Sequence, residues 1–304
     1  MPYRIGTFGN KPPEVIVVVG VGGTGGFVAE GLCRLTHGSQ LPILLIDPDR
    51  VEERNLVRQA FYPKDLGKFK SQVVAERLAA LYGREVAYSV TTFSGEIIMG
   101  LHESLRERLE SFGRTYDTGR ATGWNLVIGC VDNPIARKEM SLSVRFPSWW
   151  IDAGNGDNSG QVFIGNCDKL QLKDSAVLPT GPDAGDFYRL PLPTLVEPGL
   201  LKPVPVAAKV DDALNCAEAV EQNVQTPVIN QMMAALVLEF VSRLIAGKLT
   251  WMSAYIDMDA GSLRMVDVSP EAVARLMSMH ESDLIHQSKG EENSPVALGK
   301  RGGL

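Results

Sequence analysis

The chain has 304 residues, of which 44% are apolar and 22% are charged, values that are ordinary for a globular protein. Its formal net charge of -6 and the lack of a sustained run of Lys or Arg do not favour binding to nucleic acid or to an anionic membrane surface. The apolar stretch from Met232 to Ile245 is interrupted by Glu239 and Arg243, which predicts a buried helix rather than a membrane span. We therefore expect a cytoplasmic protein with neither nucleic-acid nor membrane partners.

The four cysteines, Cys33, Cys130, Cys167 and Cys216, are widely spaced and form no CxxC pair. This spacing argues against a disulfide scaffold and against a four-thiolate zinc site, so we expect no structural zinc. A single cysteine can still act as a nucleophile, and each is considered below.

Short β-branched runs alternate with segments of helical spacing through the first half of the chain. Residues 14–20 predict a strand, a glycine cluster follows, and helical spacing then covers Gly23 to Thr36. Further strands are predicted at Ile43–Ile46, Val86–Phe93 and Leu126–Val131, and further helices at Lys70–Tyr82, at Ile97–Ser111 and from Asn133-Pro134 onward. This alternation predicts an α/β fold with a Rossmann-like, doubly wound, mostly parallel sheet and helices on both faces.

The second half of the chain is less regular. Residues 152–160 predict a polar, glycine-rich turn, and Gln161–Ile164 predicts a strand. Residues 167–212 carry seven prolines and little periodicity, which is typical of a functional lid, a crossover loop or a partly disordered segment. A long apolar helix is then predicted at Pro227–Ala246, and a hairpin that adds antiparallel strands is predicted at Trp251–Asp257 and Ser262–Val268.

A glycine-rich loop lies directly between the first predicted strand and its helix. Gly20, Gly22 and Gly25 form a GxGxxG pattern, in which Gly23 is a further glycine. Glycines at these positions allow a tight turn and let phosphate oxygens approach the amides at the positive end of the helix. Asp47 closes the second strand 22 residues after Gly25, where a carboxylate can bind ribose hydroxyls. The pair predicts nucleotide binding, and by itself fits an NAD-dependent oxidoreductase as well as an ATP-using enzyme.

The segments after Asp47 distinguish these two classes. In order, the chain carries GxGGxG, DxDxV, NLxRQ, GxxK and a strand that ends in DN, at Gly20–Gly25, Asp47–Val51, Asn55–Gln59, Gly67–Lys70 and Asp132-Asn133. With this order and spacing over residues 15–135, the sequence resembles the ThiF/MoeB and ubiquitin-activating enzyme superfamily. A dehydrogenase has no need of NLxRQ followed by GxxK, so this combination is far more specific than the glycine loop alone.

The resemblance implies ATP-dependent adenylation of a carboxylate, in which both reactants are anions whose repulsion the site must offset. Arg58 and Lys70 would bind the phosphates, and the planar guanidinium suits bidentate contact. By the same resemblance, Asp47 binds the ribose, Asn55 orders the phosphate region and Asp132 binds Mg²⁺, which usually takes one or two carboxylates with phosphate oxygens and water. Gln59 belongs to the same motif, with nucleotide contact and a structural role both open.

The second half resembles the superfamily more loosely. Its zinc-binding members carry two CxxC pairs that are missing here, and no arginine of residues 1–13 is recognisable as one that reaches a partner subunit's ATP. Many members place a thioester- or persulfide-forming cysteine on the crossover loop, where Cys216 precedes a helical segment. A thiolate near a helix N-terminus is a competent nucleophile, whereas a lone cysteine is more often a buried apolar residue. Cys216 is therefore the candidate nucleophile and Cys167 the second choice, with Cys33 and Cys130 expected to be inert.

Within the superfamily, residues 215–222 and 229–231 are similar to the ThiF-type protein of bacterial PRTRC systems. Those systems include a ubiquitin-like protein, so the resemblance implies that the activated carboxylate is the C-terminus of a small ubiquitin-like partner. It also implies a homodimer. A ThiF-like module that binds nucleotide without turnover is the remaining alternative, although the presence of Arg58, Lys70 and Asp132 together argues against it.

The predicted elements and the resemblance together divide the chain into four parts. Residues 1–166 are the ATP-binding Rossmann-like part, and residues 167–212 are the crossover loop. Residues 213–280 supply helices and terminal strands that complete the same adenylation domain, and residues 281–304 form a flexible tail.

Overall fold

The computed structural model describes residues 3–8, 11–39, 41–97, 100, 123–179, 185–202 and 226–285. The strands are β1 (Arg4–Ile5), β2 (Ile16–Val19), β3 (Ile43–Ile46), β4 (Ala87–Ser89), β5 (Leu126–Gly129), β6 (Trp149–Asn155), β7 (Ser159–Gly165), β8 (Val177–Pro179), β9 (Gly185–Phe187), β10 (Trp251–Asp257) and β11 (Ser262–Asp267). The α-helices are α1 (Gly23–Leu35), α2 (Lys70–Tyr82), α3 (Pro134–Ser143), α4 (Lys169–Leu172), α5 (Pro193–Val196), α6 (Pro227–Ile245) and α7 (Pro270–Met277). Short 3-10 turns lie at Glu53–Asn55, Pro63–Asp65, Pro198–Leu201 and Glu281–Asp283.

The central sheet has eight strands in the order β11-β10-β7-β6-β5-β2-β3-β4. Its five strands from β4 to β6 are parallel, and β7, β10 and β11 continue it in antiparallel pairing. All four residues of β2, β3 and β5 are buried, as expected of strands covered by helices on both faces. The predicted fold class, a mostly parallel doubly wound sheet extended by antiparallel strands, is confirmed.

Helix α6 crosses one face of this sheet. By length and composition alone it could span a bilayer, but it packs against α1, β6 and β7. Its buried side chains belong to the larger apolar cluster of the protein, with Phe240, Val241 and Leu244 fully buried. Glu239 pairs with Arg243 on the exposed side through a 2.6 Å contact between Oε1 and Nε. The predicted buried helix is therefore present, and it ends one residue before the predicted Ala246.

Three sequence-based expectations differ from the structure. The strand predicted at Val86–Phe93 is limited to β4, and the turn predicted at residues 152–160 is narrower because β6 extends to Asn155 and β7 begins at Ser159. A second sheet, in the order β1-β9-β8, was not predicted. Its strands are two or three residues long, too short for an alternating pattern to be visible in the sequence.

The described part of the crossover loop carries the short strands β8 and β9 and the short helices α4 and α5, and its buried residues Leu172 and Phe187 belong to the larger apolar cluster. Side-chain hydrogen bonds hold it where it leaves β7. Asn166, which is fully buried, donates through Nδ2 to the Tyr188 carbonyl at 2.9 Å and accepts through Oδ1 from the Leu190 amide at 3.0 Å. Residues 95–97 and 100 are helical, in keeping with the helix predicted at Ile97–Ser111, and residues 98–99 and 101–111 lie outside the described residues. Residues 203–225, with Cys216, and residues 286–304 of the predicted tail also lie outside them.

Candidate nucleotide site

The motif residues gather at the carboxyl edge of the parallel strands. In the sheet β2 lies between β3 and β5, and all three strands run in the same direction. Gly20 follows β2 directly, Asp47 follows β3 directly, and Asp132 lies three residues beyond β5. Parallel strands present their carboxyl ends at one edge, which is where open α/β sheets bind their ligands.

The glycine loop connects β2 to α1 in a geometry that excludes side chains. Gly20 has a positive φ of 83°, and a Cβ added to it would lie 2.7 Å from the Cys130 carbonyl oxygen. A Cβ added to Gly25 would lie 1.8 Å from the Gly20 carbonyl oxygen, so the first turn of α1 packs directly on the loop. Gly22 is the N-cap of α1 and offers no side-chain cap. The first amides of a helix have no acceptor within the helix, so this end of α1 suits an anion.

Asp47 is buried and holds the glycine loop in place. Its Oδ2 accepts from the Val21 amide at 2.8 Å, and its Oδ1 accepts from the Asp49 amide at 2.9 Å. Burial raises the pKa of the Asp47 carboxyl, and the two amides and the nearby Lys70 act in the opposite direction. Because each carboxylate oxygen can accept a second hydrogen bond, Asp47 retains acceptor capacity for ribose hydroxyls.

Lys70, the first residue of α2, is not a solvated surface lysine. Its side chain is 10% exposed, and its Nζ lies 2.9 Å from Oδ2 of Asp49, whose side chain is 66% exposed. The Lys70 amide also donates to the Asp49 carbonyl at 2.9 Å. The ammonium is therefore held beside Asp47 by a carboxylate that faces solvent. This is a partner that a phosphate group can replace.

The Asn55–Gln59 segment folds over the glycine loop. Asn55 is buried and its Oδ1 accepts from the Glu52 amide at 2.9 Å, which caps the 3-10 turn, while its carbonyl accepts from the amides of Arg58 and Gln59. The Gln59 side-chain amide lies 3.4 Å from the position that a Cβ on Gly22 would occupy. Asn55 therefore shapes the segment, and Gln59 covers the loop. Arg58 lies between them and is half-buried.

Asp132 is exposed and lies immediately before the N-cap of α3. Asn133 is that N-cap, and its Oδ1 accepts from the Ile135 amide at 2.8 Å. An exposed carboxylate at the same edge as the glycine loop has the chemistry that Mg²⁺ requires, because this ion takes few protein carboxylates and fills its coordination sphere with phosphate oxygens and water. Among the described residues, no group of three or more His, Cys, Asp or Glu side chains could hold a metal by itself.

A buried ion pair anchors α3 to the sheet next to this edge. The Arg137 Nε lies 3.2 Å from Oδ1 and 3.1 Å from Oδ2 of Asp152, which is fully buried on β6. Burial raises the pKa of Asp152 to about 6, although the Arg137 guanidinium lowers it. The pair fixes the helix that begins beside Asp132.

Three cysteines fall within the described residues, and all are poor nucleophiles. Cys167 is buried, its Sγ donates to the Leu190 carbonyl at 3.3 Å, and burial raises the pKa of its thiol to about 12. Burial also raises the thiol pKa values of Cys33 and Cys130. Burial therefore argues against the second choice for a reactive thiol, Cys167. Cys216 lies outside the described residues, so its role stays a prediction.

A cluster of neutral polar side chains borders the loop and was not singled out from the sequence. Thr24 of α1, Asn155 at the end of β6 and Asn230 of α6 are mutually hydrogen-bonded over 3.1 to 3.4 Å. Asn230 also donates to the Arg58 carbonyl at 3.4 Å. One signal was available, since Asn230 is a polar residue on the otherwise apolar, buried stripe of α6.

Comparisons with known proteins support the family resemblance that the order of the motifs indicates. A sequence profile of the ThiF family matches residues 14–268. Ubiquitin-like modifier-activating enzyme 5 of Dictyostelium discoideum is 30% identical over 156 residues, 49% of this chain and 38% of that protein. Ubiquitin-like modifier-activating enzyme 5 of Oryza sativa subsp. japonica is 31% identical over 157 residues, 49% of this chain and 34% of that protein. The matched region thus covers little more than a third of each relative.

Among solved structures, that of E. coli MccB resembles the chain with a TM-score of 0.50 and 19% identity over 84% of this chain and 62% of that one. At this identity the likeness concerns the fold. The family profile covers most of the chain, including both the nucleotide edge and the antiparallel extension. The chain belongs to the ThiF family.

Proposed function

We propose that this protein uses ATP to adenylate the C-terminal carboxylate of a small ubiquitin-like protein, with release of pyrophosphate. The observation that carries the proposal is the composition of the carboxyl edge of the sheet. A glycine-rich loop at a helix N-terminus, a buried aspartate at the end of the next strand and a lysine paired with an exposed carboxylate lie together there. Such an edge suits a nucleoside triphosphate better than a small neutral ligand.

In the proposed reaction a carboxylate oxygen of the partner attacks the α-phosphorus of ATP. The bond that forms joins the carboxylate oxygen to the α-phosphorus and gives an acyl-adenylate. The bond from the α-phosphorus to the oxygen that bridges to the β-phosphate breaks, and pyrophosphate leaves with that electron pair. Lys70 would exchange Asp49 for a phosphate oxygen, and Arg58 would neutralise the charge that grows on the leaving group. Mg²⁺ held by Asp132 would supply further charge neutralisation and orient the phosphates.

The proposal also names the molecule that carries the activated carboxylate, a small ubiquitin-like protein. The support for this assignment is the name of the relatives, which are ubiquitin-like modifier-activating enzymes and which this chain matches over about half its length. The net charge of -6 also favours a partner with a basic face. A thioester on Cys216 as the next step, a homodimeric assembly and a cytoplasmic location belong to the same proposal.

The direct test is ATP–pyrophosphate exchange in the presence of candidate ubiquitin-like proteins. We expect exchange in the wild type and its loss in Arg58→Ala and in Asp132→Ala, since the first change removes a charged contact to the phosphates and the second removes the carboxylate that would hold Mg²⁺ beside them. Removal of one such contact costs on the order of 3 kcal/mol of transition-state stabilisation. Arg54→Ala is the matched control, because Arg54 belongs to the same segment but is exposed and pairs with Glu52. Wild-type exchange in a folded Arg58→Ala protein would contradict the proposal.

The thioester step is tested separately on a non-reducing gel. With ATP and the partner, the wild type is expected to form an adduct that dithiothreitol releases and that Cys216→Ala does not form. A reducible adduct in Cys216→Ala would remove the role of Cys216 and leave adenylation untouched. ATP binding without exchange for any partner would indicate a nucleotide-binding module instead of an enzyme.

A further inference from the structure

Helices α1 and α6 are in unusually close contact at two glycines of α1. A Cβ added to Gly23 would lie 2.3 Å from Nδ2 of Asn230, and a Cβ added to Gly31 would lie 2.1 Å from Cδ1 of Leu238. Gly31 comes eight residues after Gly23, and Leu238 comes eight residues after Asn230, which is about two helical turns in each helix. The two helices therefore pack in a fixed parallel register that places Asn230 on the backbone of the glycine loop.

Every polar atom of the Asn230 side chain is engaged there. The residue is 1% exposed, and its Oδ1 accepts from Asn155 Nδ2 at 3.1 Å and from Thr24 Oγ1 at 3.4 Å. Its Nδ2 donates to the Arg58 carbonyl at 3.4 Å. Thr24 has a single hydroxyl proton, which it can share between Asn230 and the Asn155 Oδ1 at 3.2 Å. One amide thus connects the first turn of α1, the end of β6 and the Arg58 backbone.

The Arg58 backbone takes part in this connection. The Arg58 carbonyl is bonded to a side chain from a helix that begins 168 residues later in the chain, at Thr226 as N-cap. An anion site is most effective when its donors are held in place before the ligand arrives. The loop amides and the Arg58 side chain belong to different segments, and side chains that contact both segments can fix the distance between them. Asn230 touches both segments.

We propose that Asn230 is a positioning residue of the nucleotide site, which sets the glycine loop and Arg58 in the mutual geometry that the triphosphate requires. The inference rests on the proposed function, and it concerns a residue that does not itself touch the nucleotide. Thr24 and Asn155 orient its amide, with the oxygen facing them and the nitrogen facing Arg58.

The test measures ATP affinity by titration calorimetry and, where exchange occurs, the KM for ATP and kcat. Asn230→Ala is expected to weaken ATP binding about tenfold, the change that corresponds to roughly one net hydrogen bond. The KM for ATP should rise by the same factor while kcat changes by no more than about threefold, because the geometry of bound and reacting phosphates is affected alike. Gln231→Ala is the matched control, since Gln231 is the next residue of α6, carries the same amide and is exposed. It should bind ATP as the wild type does.

Two further variants protect the test against a fold defect in Asn230→Ala. Thr24→Val removes the hydroxyl that orients the Asn230 amide without changing the side-chain shape, and it should also weaken ATP binding. Gly23→Ala brings a methyl group against Asn230, so the double variant Gly23→Ala/Asn230→Ala should bind ATP better than Gly23→Ala does. Suppression would show that the methyl group weakens ATP binding through its contact with Asn230, whereas a double variant that binds ATP no better than Gly23→Ala would count against the positioning role.

The outcomes separate this inference from the proposed function. If the wild type binds ATP and both Asn230→Ala and Thr24→Val bind it equally well, the positioning role is wrong and adenylation is unaffected. If the wild type binds ATP without exchange, adenylation is wrong, and the binding series still decides the role of Asn230. If the wild type binds no ATP, both are wrong.

Discussion

Two ion pairs of this protein have nearly the same geometry in very different surroundings. The Lys70 Nζ lies 2.9 Å from Oδ2 of Asp49, and the Arg137 Nε lies 3.1 Å from Oδ2 of Asp152. The Asp49 side chain is 66% exposed, whereas that of Asp152 is fully buried. Water can therefore solvate Asp49 when its partner leaves. No such replacement is available to Asp152.

This difference assigns the pairs to different tasks. At the nucleotide edge, the carboxylate that faces solvent keeps Lys70 in position and can be replaced by a phosphate oxygen at little cost. Under α3, Arg137 lies over the backbone of β6, where a Cβ on Gly154 would be 3.1 Å from its Nη2. A charge in that place cannot change partner without losing most of its stabilisation. Under the proposed function, the first pair serves binding, and the second stabilises the helix that begins beside Asp132.

The largest expected effect follows from breaking the buried pair. Asp152→Ala leaves the Arg137 guanidinium buried without a counter-charge, and it should lower the free energy of unfolding by about 3–5 kcal/mol. Urea denaturation followed by circular dichroism measures the change. The double variant Arg137→Met/Asp152→Leu should recover most of the loss, because it buries apolar groups of similar size. A loss below about 1 kcal/mol in Asp152→Ala would show that the pair does not anchor α3.

Removal of the Lys70 ammonium should lower the rate of ATP–pyrophosphate exchange and leave the free energy of unfolding nearly unchanged. In Lys70→Ala, exchange should fall by a factor that corresponds to about 3 kcal/mol, because a charged phosphate contact is lost. The free energy of unfolding should change by no more than about 1 kcal/mol, since Asp49 remains hydrated. Lys68→Ala is the control, as Lys68 lies in the same motif but is exposed. Similar exchange rates in the two variants would remove Lys70 from the phosphate site.

The buried pair also predicts how stability responds to acid. The folded-state pKa of Asp152, about 6, lies above the ordinary value of 3.8. Between these pH values the folded protein binds more protons than the unfolded chain, so this group raises the free energy of unfolding as the pH falls through the window. Relative to Arg137→Met/Asp152→Leu, the wild type should gain about 2 kcal/mol between pH 7 and pH 4.5. A relative loss in this range would mean that the pair lowers the Asp152 pKa.

Much of the fold and of the nucleotide edge could be predicted because its signals are local. The buried strand β2, the glycine loop and α1 follow one another without interruption, and Asp47 ends the next strand. Each of these features has a composition that suits only a few structures. Consecutive β-branched residues favour a strand, and a run of glycines favours a tight turn in which a Cβ would not fit. The prediction was reliable where neighbouring residues determine the geometry.

The features that were not predicted depend on contacts between distant parts of the chain. Thr24 is hydrogen-bonded to Asn155, 131 residues later in the chain, and to Asn230, 206 residues later, and no local sequence pattern predicts either contact. The pairing of β1 with β9 joins Arg4 to Asp186, and these strands are too short to show alternation. For the same reason, the sequence identifies Lys70 as a motif residue but not Asp49 as the carboxylate that holds it.

The smallest expected effect completes the comparison of the two pairs. Asp49→Ala removes the same chemical group as Asp152→Ala and leaves a cation of similar burial, since the Lys70 side chain is 10% exposed and that of Arg137 is 8% exposed. The free energy of unfolding should nevertheless fall by no more than about 1 kcal/mol, because Asp49 is largely hydrated and the Asp47 carboxylate stays near Lys70. The Asp49 amide and carbonyl bonds to Asp47 and Lys70 involve the backbone and persist in the variant. Urea denaturation of both variants under one buffer condition measures the contrast. Equal losses in the two variants would mean that exposure does not distinguish the pairs, and that Lys70 is a structural residue as firmly held as Arg137.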